Sequence, residues 1–580
     1  MDRKREAVKQ WFREAKFGLF IHWGIYAVEG RGEWRRSQNI FEADYAKQIP
    51  HFTAKHFDPK AWAKLAKETG VKYIVFTTKH HDGFCMFDAH NTDWKVTNTP
   101  AKRDVLRELT EACLAEGLKV GFYYSIMDWH HPDWLPRLGF EAETRPAEGH
   151  DVMDYIRYMR EQLHQLLTEY GEAPFVLWYD GGWTNTPENL GAKETNALAR
   201  KWHPGLLIND RHFTKEDLIT PEQVVPATGI LDDDGKPALW EACITMTSHW
   251  WGYDRYETKF KEPAYLVQML VDMVSKGGNY LLNIGPDAEG RIQPEFVERM
   301  KVIGKWLKKY GEAIYGTTAS PFAKLPFLGR VTVKGSRLYV HVFHWPADRE
   351  IRLPGLKNKV VAVSVVGKPS TKVAAVREGD GWTLTLPVAA PDPVVSVIAV
   401  DLDGAPQVVP VMLTADAKGV IALPVLYANL IGPHGQRIRY ETDQPEVYVG
   451  SWYRAPDRAT WTVKVPKRGE YQLVLHQEVT KEGKGLDYDV YVDPHARKAI
   501  APNGKPFSDM EDSKNLFAEK PAFTFRTRLT SGKITNRRAG TLSLKAGVRT
   551  VAIVLKPGQG ATDGLRLFSA ELKPVKKAAK

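Results

Sequence analysis

The stretch APFVLWYDGGW, residues 173–183, places five apolar or aromatic side chains, Phe175 to Tyr179, directly before an aspartate and two glycines. A run this apolar reads as a buried strand. Burying an unpaired carboxylate is costly, so strands normally keep one away from their apolar stretch. Asp180 therefore either opens an ordinary turn or is a carboxylate carried to a strand end for chemistry.

The neighbouring sequence repeats the pattern. Short apolar runs occur at 17–24, 73–83, 119–125, 175–181, 206–211, 240–246 and 280–286. Between them lie helix-period stretches at 58–69, 103–116, 151–170, 187–202, 263–276 and 293–310. Near-continuous apolar strands alternating with amphipathic helices indicate a parallel sheet. Seven or eight such units predict a (β/α)8-like, TIM-type barrel over residues 1–318. His22, His80, His81, Asp82, Tyr124, Asp180 and Arg211 all fall at or just past the C-terminal end of an apolar run, the end at which a barrel gathers its active site. Asp180 thus belongs to a ring of polar groups.

Past about residue 320 the texture changes to apolar–polar alternation with short turns. This predicts an antiparallel β-sandwich over 319–402, a linker at 403–410 and a further jelly-roll-like sandwich over 411–575.

The composition narrows the classes. The 580 residues are 43% hydrophobic and contain no apolar run long enough to span a membrane. The N-terminus, MDRKREAVKQWF, shows no signal peptide, so the compartment is secreted or periplasmic if a leader has been removed and cytoplasmic otherwise. Cys85, Cys113 and Cys243 are odd in number and far apart, which predicts buried thiols rather than disulfides or a zinc site. The formal charge of +10 reads as Lys and Arg spread over a large surface, with no dense basic block before the tail KPVKKAAK. Nucleic acid and membrane are not expected partners, and the oligomeric state is open.

Two His-His pairs stand out, in TKHHDGF (78–84) and DWHHPDW (128–134). Adjacent strand residues face opposite ways, which disfavours chelation of one ion, whereas an imidazole donates and accepts as sugar hydroxyls require. Glycosidic hydrolysis uses two carboxyl groups. Besides Asp180, the residues alone leave Glu33, Glu222 and Glu241 open as the second. No nucleophile-elbow serine or phosphate loop is present.

Taken together, KFGLFIHWGIYAVEGRGEW, YIVFTTKHHDGFCMFDA, KRDVLRELTEACLAEGLKVGFYYS, VLWYDGGW, WEACITM followed by WGY, SKGGNYLLNIGPDAEGRI and YGEAIYG resemble the alpha-L-fucosidases of glycoside hydrolase family 29, in the family's order over about residues 8–400. The resemblance implies an irregular barrel followed by a β-sandwich, a fucosylated oligosaccharide or glycoconjugate as substrate, and a retaining mechanism without metal or organic cofactor. It assigns Asp180 as nucleophile and Glu222 as acid/base, with Glu241 second in line for that role. It assigns His22, Glu33, Trp34, His80, His81, Tyr124, Trp178 and Arg211 to substrate binding, with Tyr123 the alternative should the tyrosine match be one residue out. The last segment resembles carbohydrate-binding-like domains, where Trp452, Tyr453 and Trp461 could stack on sugars, unless Trp461, by alternation with Val463 and Val465, is core. The competing readings are a non-catalytic glycan-binding protein, a fucosidase acting on sulfated fucans and a metal-dependent hydrolase using the paired histidines.

Overall fold

The computed structural model describes residues 2–226, 228–431, 439–441, 447–450, 452, 457–494, 520–556 and 564–575. It divides into two compact units, one built mainly from the chain through Glu222 with Gly229–Thr318, the other from Gln223–Thr228 and most of the chain from Ala319 onward.

In the first unit seven parallel strands alternate with helices: β1 (Phe17–Ile21), β2 (Tyr73–Lys79), β3 (Lys119–Ser125), β4 (Pro174–Asp180), β5 (Leu207–Ile208), β6 (Glu241–Thr245) and β7 (Asn279–Ile284). The helices are α1 (Asp2–Ala15), α2 (Glu42–Tyr45), α3 (Pro59–Thr69), α4 (Val105–Ala115), α5 (Val152–Thr168), α6 (Ala192–Trp202), α7 (Pro263–Ser275) and α8 (Pro294–Tyr310). Asp58, Asp104 and Asp151 start α3, α4 and α5 by accepting backbone N–H groups of the first turn. The strand order β5-β4-β3-β2-β1-β7-β6 is that of a TIM-type barrel with seven regular strands instead of eight.

The gap between β5 and β6 has a local cause. β5 ends after two residues, but the Asn209 side chain continues its ladder, accepting from Tyr179 N–H and donating to Tyr179 C=O, both at 2.9 Å. The segment Leu218–Glu222 then fills the eighth position, bridging in parallel to Asn209 on one side and to Trp240 and Cys243 on the other. Pro221 has no N–H to give a ladder, so this stave is held by isolated bonds rather than a strand's full set.

Aromatic side chains fill the barrel interior, including Phe20, Tyr73, Tyr123 and Trp178, with Phe12 of α1 packed against them. All three cysteines are free and buried. Among the described residues no helix is long and apolar enough to cross a membrane.

Among the described residues the second unit is antiparallel apart from one short parallel pairing. A five-stranded and a three-stranded sheet between Gly329 and Leu402 enclose one apolar core containing Val331, Val340, Ile351 and Leu384. Two larger sheets between Leu413 and Pro574 enclose another. Trp452 and Trp461 are fully buried in that second core, so neither is an exposed sugar platform, and for Trp461 the alternation with Val463 and Val465 gives the reason. Tyr453 lies outside the described residues.

Candidate active site

Strand β4 carries Asp180 to the barrel mouth and stops there. Gly181 has φ +76°, and a Cβ at that position would sit 2.8–3.0 Å from Met127 and Ser125, so only glycine lets the chain turn immediately after the carboxylate. The Asp180 carboxylate is held from three sides. Oδ1 accepts from Arg211 Nη1 at 3.1 Å, Oδ2 accepts from the Tyr123 hydroxyl at 3.0 Å, and His81 Nε2 lies 3.7 Å from Oδ2.

Glu222 arrives on the irregular eighth stave and meets the same guanidinium nitrogen, Oε2 to Arg211 Nη1 at 2.6 Å. Two oxygens within 3.1 and 2.6 Å of one atom cannot be farther apart than the sum, 5.7 Å. Retaining glycosidases hold their two carboxyl groups about 5–5.5 Å apart, inverting ones about 6.5–9.5 Å. Asp180 is 13% and Glu222 41% exposed, so the second carboxyl faces solvent more than the first. Arg211 is fixed in turn by Thr220, whose hydroxyl and carbonyl accept from Nε and Nη2, and its guanidinium lies 4.6 Å over the Trp178 ring. Burial opposes its charge, but Glu222 and then Asp180 hold its pKa well above the ordinary value.

Glu241 lies elsewhere. It is fully buried, with Oε2 accepting from the Tyr73 hydroxyl at 2.7 Å and Oε1 from Trp178 Nε1 at 3.1 Å. Both oxygens are committed inside the barrel, which leaves none for a leaving group. Burial pushes this carboxyl up to about 7, against the pull of Tyr73 and Trp178. A group whose pKa rises from 4.5 to about 7 on folding holds its proton longer in the native state, so its contribution favours the fold at acid pH and is lost as pH climbs through that window. Glu241→Gln removes the titration. The expected outcome is that the variant's stability relative to wild type improves between about pH 5 and pH 8 by on the order of 3 kcal/mol, read from denaturant midpoints at both pH values. A pH-independent difference would refute the raised pKa.

Tyr124 is also not at the mouth. Strand alternation turns it outward, where its hydroxyl donates to Gln162 of α5 at 2.7 Å, whereas Tyr123, in register with Trp178, faces Asp180. Trp178 is 1% exposed, covered by Arg211 and stacked on Tyr123 with centroids 5.7 Å apart, so it is a floor beneath the polar groups rather than an open platform. The half-buried rings at the mouth are Trp34, Trp183 and Trp251. Trp34 and Trp183 lie 5.1 and 5.3 Å from His81, and Trp251 lies 5.2 Å from His22.

The three histidines converge. His80 and His81 rings are 4.1 Å apart, His22 and His80 5.7 Å, and His80 stacks on Tyr123. Burial drives His22 down to about 3 and His80 well below the ordinary value, so both are neutral near pH 7. Asn283 donates its amide to Trp251 C=O, which turns its oxygen toward His22 Nδ1 at 2.7 Å and leaves Nε2 of His22 as an acceptor. His80 Nδ1 is buried without a hydrogen-bonding partner.

Glu33 is buried, and its Oε2 accepts from the backbone N–H groups of Trp251 and Gly252 at 2.9 and 2.8 Å, tying the loop after β1 to the loop after β6. Burial raises its pKa to about 7 despite these bonds. The second His-His pair is absorbed by structure. Asp128, paired with buried Lys79 at 2.9 Å, accepts both backbone N–H groups, His130 stacks on Trp94, and His131 packs on Tyr155 and Tyr158. Among the described residues no three His, Cys, Asp or Glu side chains form a metal-binding group.

The profile of the family described as alpha-L-fucosidase matches residues 1–312. The chain belongs to the alpha-L-fucosidase family. It is 31% identical to the human tissue alpha-L-fucosidase over 425 residues, which cover 66% of this chain and 86% of that protein. The solved alpha-L-fucosidase isoenzyme 1 from Paenibacillus thiaminolyticus superposes with TM-score 0.66 and 40% identity, over 69% of this chain and 100% of that one. A Bacteroides thetaiotaomicron alpha-L-fucosidase, solved as a trapped covalent intermediate with 2-fluoro-fucosyl fluoride, superposes with TM-score 0.61 and 28% identity, over 69% and 96%. Within this family frame, sequence reading held Tyr123 only as the alternative to Tyr124 and missed Trp183, Trp251 and Asn283. Tyr123 shares a strand face with Ser125, the register partner of Asp180, a placement that only the pairing reveals.

Proposed function

We propose that this alpha-L-fucosidase family member hydrolyses terminal alpha-L-fucosyl linkages by double displacement, with Asp180 as nucleophile and Glu222 as acid/base. The observation that carries the assignment is the single guanidinium nitrogen shared by the two carboxylates. In the first step an Asp180 oxygen bonds to the anomeric carbon while Glu222 protonates the departing oxygen. In the second, Glu222 takes a proton from water, which displaces Asp180 from the fucosyl-enzyme. Tyr123 and Arg211 hold the nucleophile's carboxylate plane. Neutral His22 and His80, with His81, hydrogen-bond the sugar hydroxyls, and the rings of Trp34, Trp183 and Trp251 offer apolar walls to the 6-deoxy sugar. Glu33 acts by fixing the loop that carries Trp251. The working parts are the barrel at 1–318, the sandwich at 319–402 and the terminal sandwich at 411–575.

The test is hydrolysis of 4-nitrophenyl alpha-L-fucoside followed by proton NMR. Alpha-fucose as first product supports the reading; beta-fucose, or no turnover on this or any fucosylated oligosaccharide, would overturn it.

The two tyrosines separate position from identity. Tyr123→Phe removes a hydrogen bond to a charged group, about 1.5–3 kcal/mol, and is expected to lower kcat/KM about ten- to hundredfold. Tyr124→Phe breaks bonds on the outer face of the strand, among them that to Gln162, so activity stays within about twofold while stability drops by about 1 kcal/mol. Comparable activity losses in both would contradict the assigned strand face.

A further inference from the structure

The positive charge is not evenly spread. Residues 520–556 contain nine Lys and Arg and no Asp or Glu, which leaves the other 543 residues at a net +1. Within this segment the strand Phe523–Arg526 is the outermost strand of one sheet of the terminal sandwich, and Thr535–Leu544 is the outermost strand of the other. The two edges meet: Arg537 Nη2 donates to the Arg526 carbonyl, and the Arg537 guanidinium lies 5.5 Å over the Phe525 ring. Arg526 shares Asp487 at 3.1 Å with its side chain 69% exposed. Arg528, Lys533 and Arg538 are exposed and make no ion pair among the described residues. Arg537 Nη1 is buried with no hydrogen-bonding partner. Burial and then the neighbouring Arg528 lower the Arg537 pKa.

Charged side chains on edge strands block sheet-to-sheet aggregation. That role is met by either sign, and it does not require an inward-facing arginine with an unsatisfied donor. We propose that this double edge, centred on Arg526, Arg528, Lys533, Arg537 and Arg538, is a docking surface for a sulfated polysaccharide. The sulfates supply the missing counter-charge and accept from guanidinium N–H groups in charge-assisted bonds. Choosing a glycan among polyanions rests on the fucosidase reading of the barrel. The edge would hold the enzyme on an anionic glycan while the barrel mouth removes fucose.

The test measures binding of the full chain to an immobilised sulfated alpha-L-fucan by surface plasmon resonance. The same polymer after chemical desulfation and a single-stranded oligonucleotide serve as the other probes. Binding to the sulfated polymer is expected to weaken more than about tenfold when NaCl rises from about 50 to 300 mM, and desulfation is expected to abolish it. The charge reversal R528E/K533E/R538E is expected to weaken binding by at least about tenfold, and R528Q/K533Q/R538Q by less. Turnover of 4-nitrophenyl alpha-L-fucoside stays within about twofold in both variants, which separates this surface from the catalytic reading. Unchanged binding in the reversal variant, equal binding of the desulfated polymer, or tighter binding of the oligonucleotide than of the sulfated glycan would each overturn the proposal.

Discussion

Asp180→Ala is expected to lower turnover of an aryl alpha-L-fucoside by at least about a thousandfold, some 4 kcal/mol of lost transition-state stabilisation. Removing the carboxylate deletes the proposed nucleophile and takes away one of the two carboxylates paired with Arg211, leaving Glu222. The truncation opens space between Tyr123, His81 and Arg211, the groups that now surround the carboxylate. Azide entering there should restore turnover and give beta-fucosyl azide, because it attacks the alpha-linked substrate in a single inversion. Asp180→Asn keeps the shape without the charge and should stay inactive with or without azide. Appreciable activity in either variant without azide would remove Asp180 from the mechanism.

Glu222→Ala has a different signature. A 4-nitrophenolate leaves without much help, so the fucosyl-enzyme still forms, but water then lacks its base. Loss of general-base help is expected to cost about a hundred- to ten-thousandfold in kcat, with KM falling as the intermediate accumulates. Azide needs no base and intercepts the beta-linked intermediate, so the rescued product is alpha-fucosyl azide. Opposite anomers from the two variants would fix both roles in one experiment. Should Glu241→Ala instead give the alpha-azide while Glu222→Ala does not, the acid/base lies at Glu241, and the buried geometry with Tyr73 and Trp178 would have to open during turnover.

Most of the barrel could be read from periodicity, since its strands are apolar runs alternating with amphipathic helices, three of which start at aspartate caps. What could not be read was everything that depends on face or register. YYS, residues 123–125, offers two tyrosines to the mouth, and only pairing with Trp178 and Asp180 decides that Tyr123 points in. The W-E pair at Trp240 and Glu241 looks as chemical as the T-P-E stretch ending in Glu222. The difference is depth: Glu241 begins strand β6, at the bottom of the barrel, whereas Glu222 ends a stave that sequence gives no reason to recognise. The shortness of β5 within the apolar run 206–211 was equally hidden, because a side-chain amide at Asn209 performs the pairing that backbone performs elsewhere. The N-terminal helix α1, too polar outside to stand out, announces itself only through Phe12 in the barrel floor.

The irregular eighth stave divides the two carboxylates by how firmly each is built in. Asp180 closes a strand paired along both edges, so displacing it would require reworking the barrel. Glu222 ends a segment tied by a few bonds to Asn209, Asp210 and β6, one of its residues a proline. Insertions or deletions next to that segment would leave the barrel's ladder intact. On the proposed roles, the attacking group is built into the frame of the barrel. The proposed proton donor, and with it the way a leaving sugar is received, sits on the part that can change shape while that frame stays put.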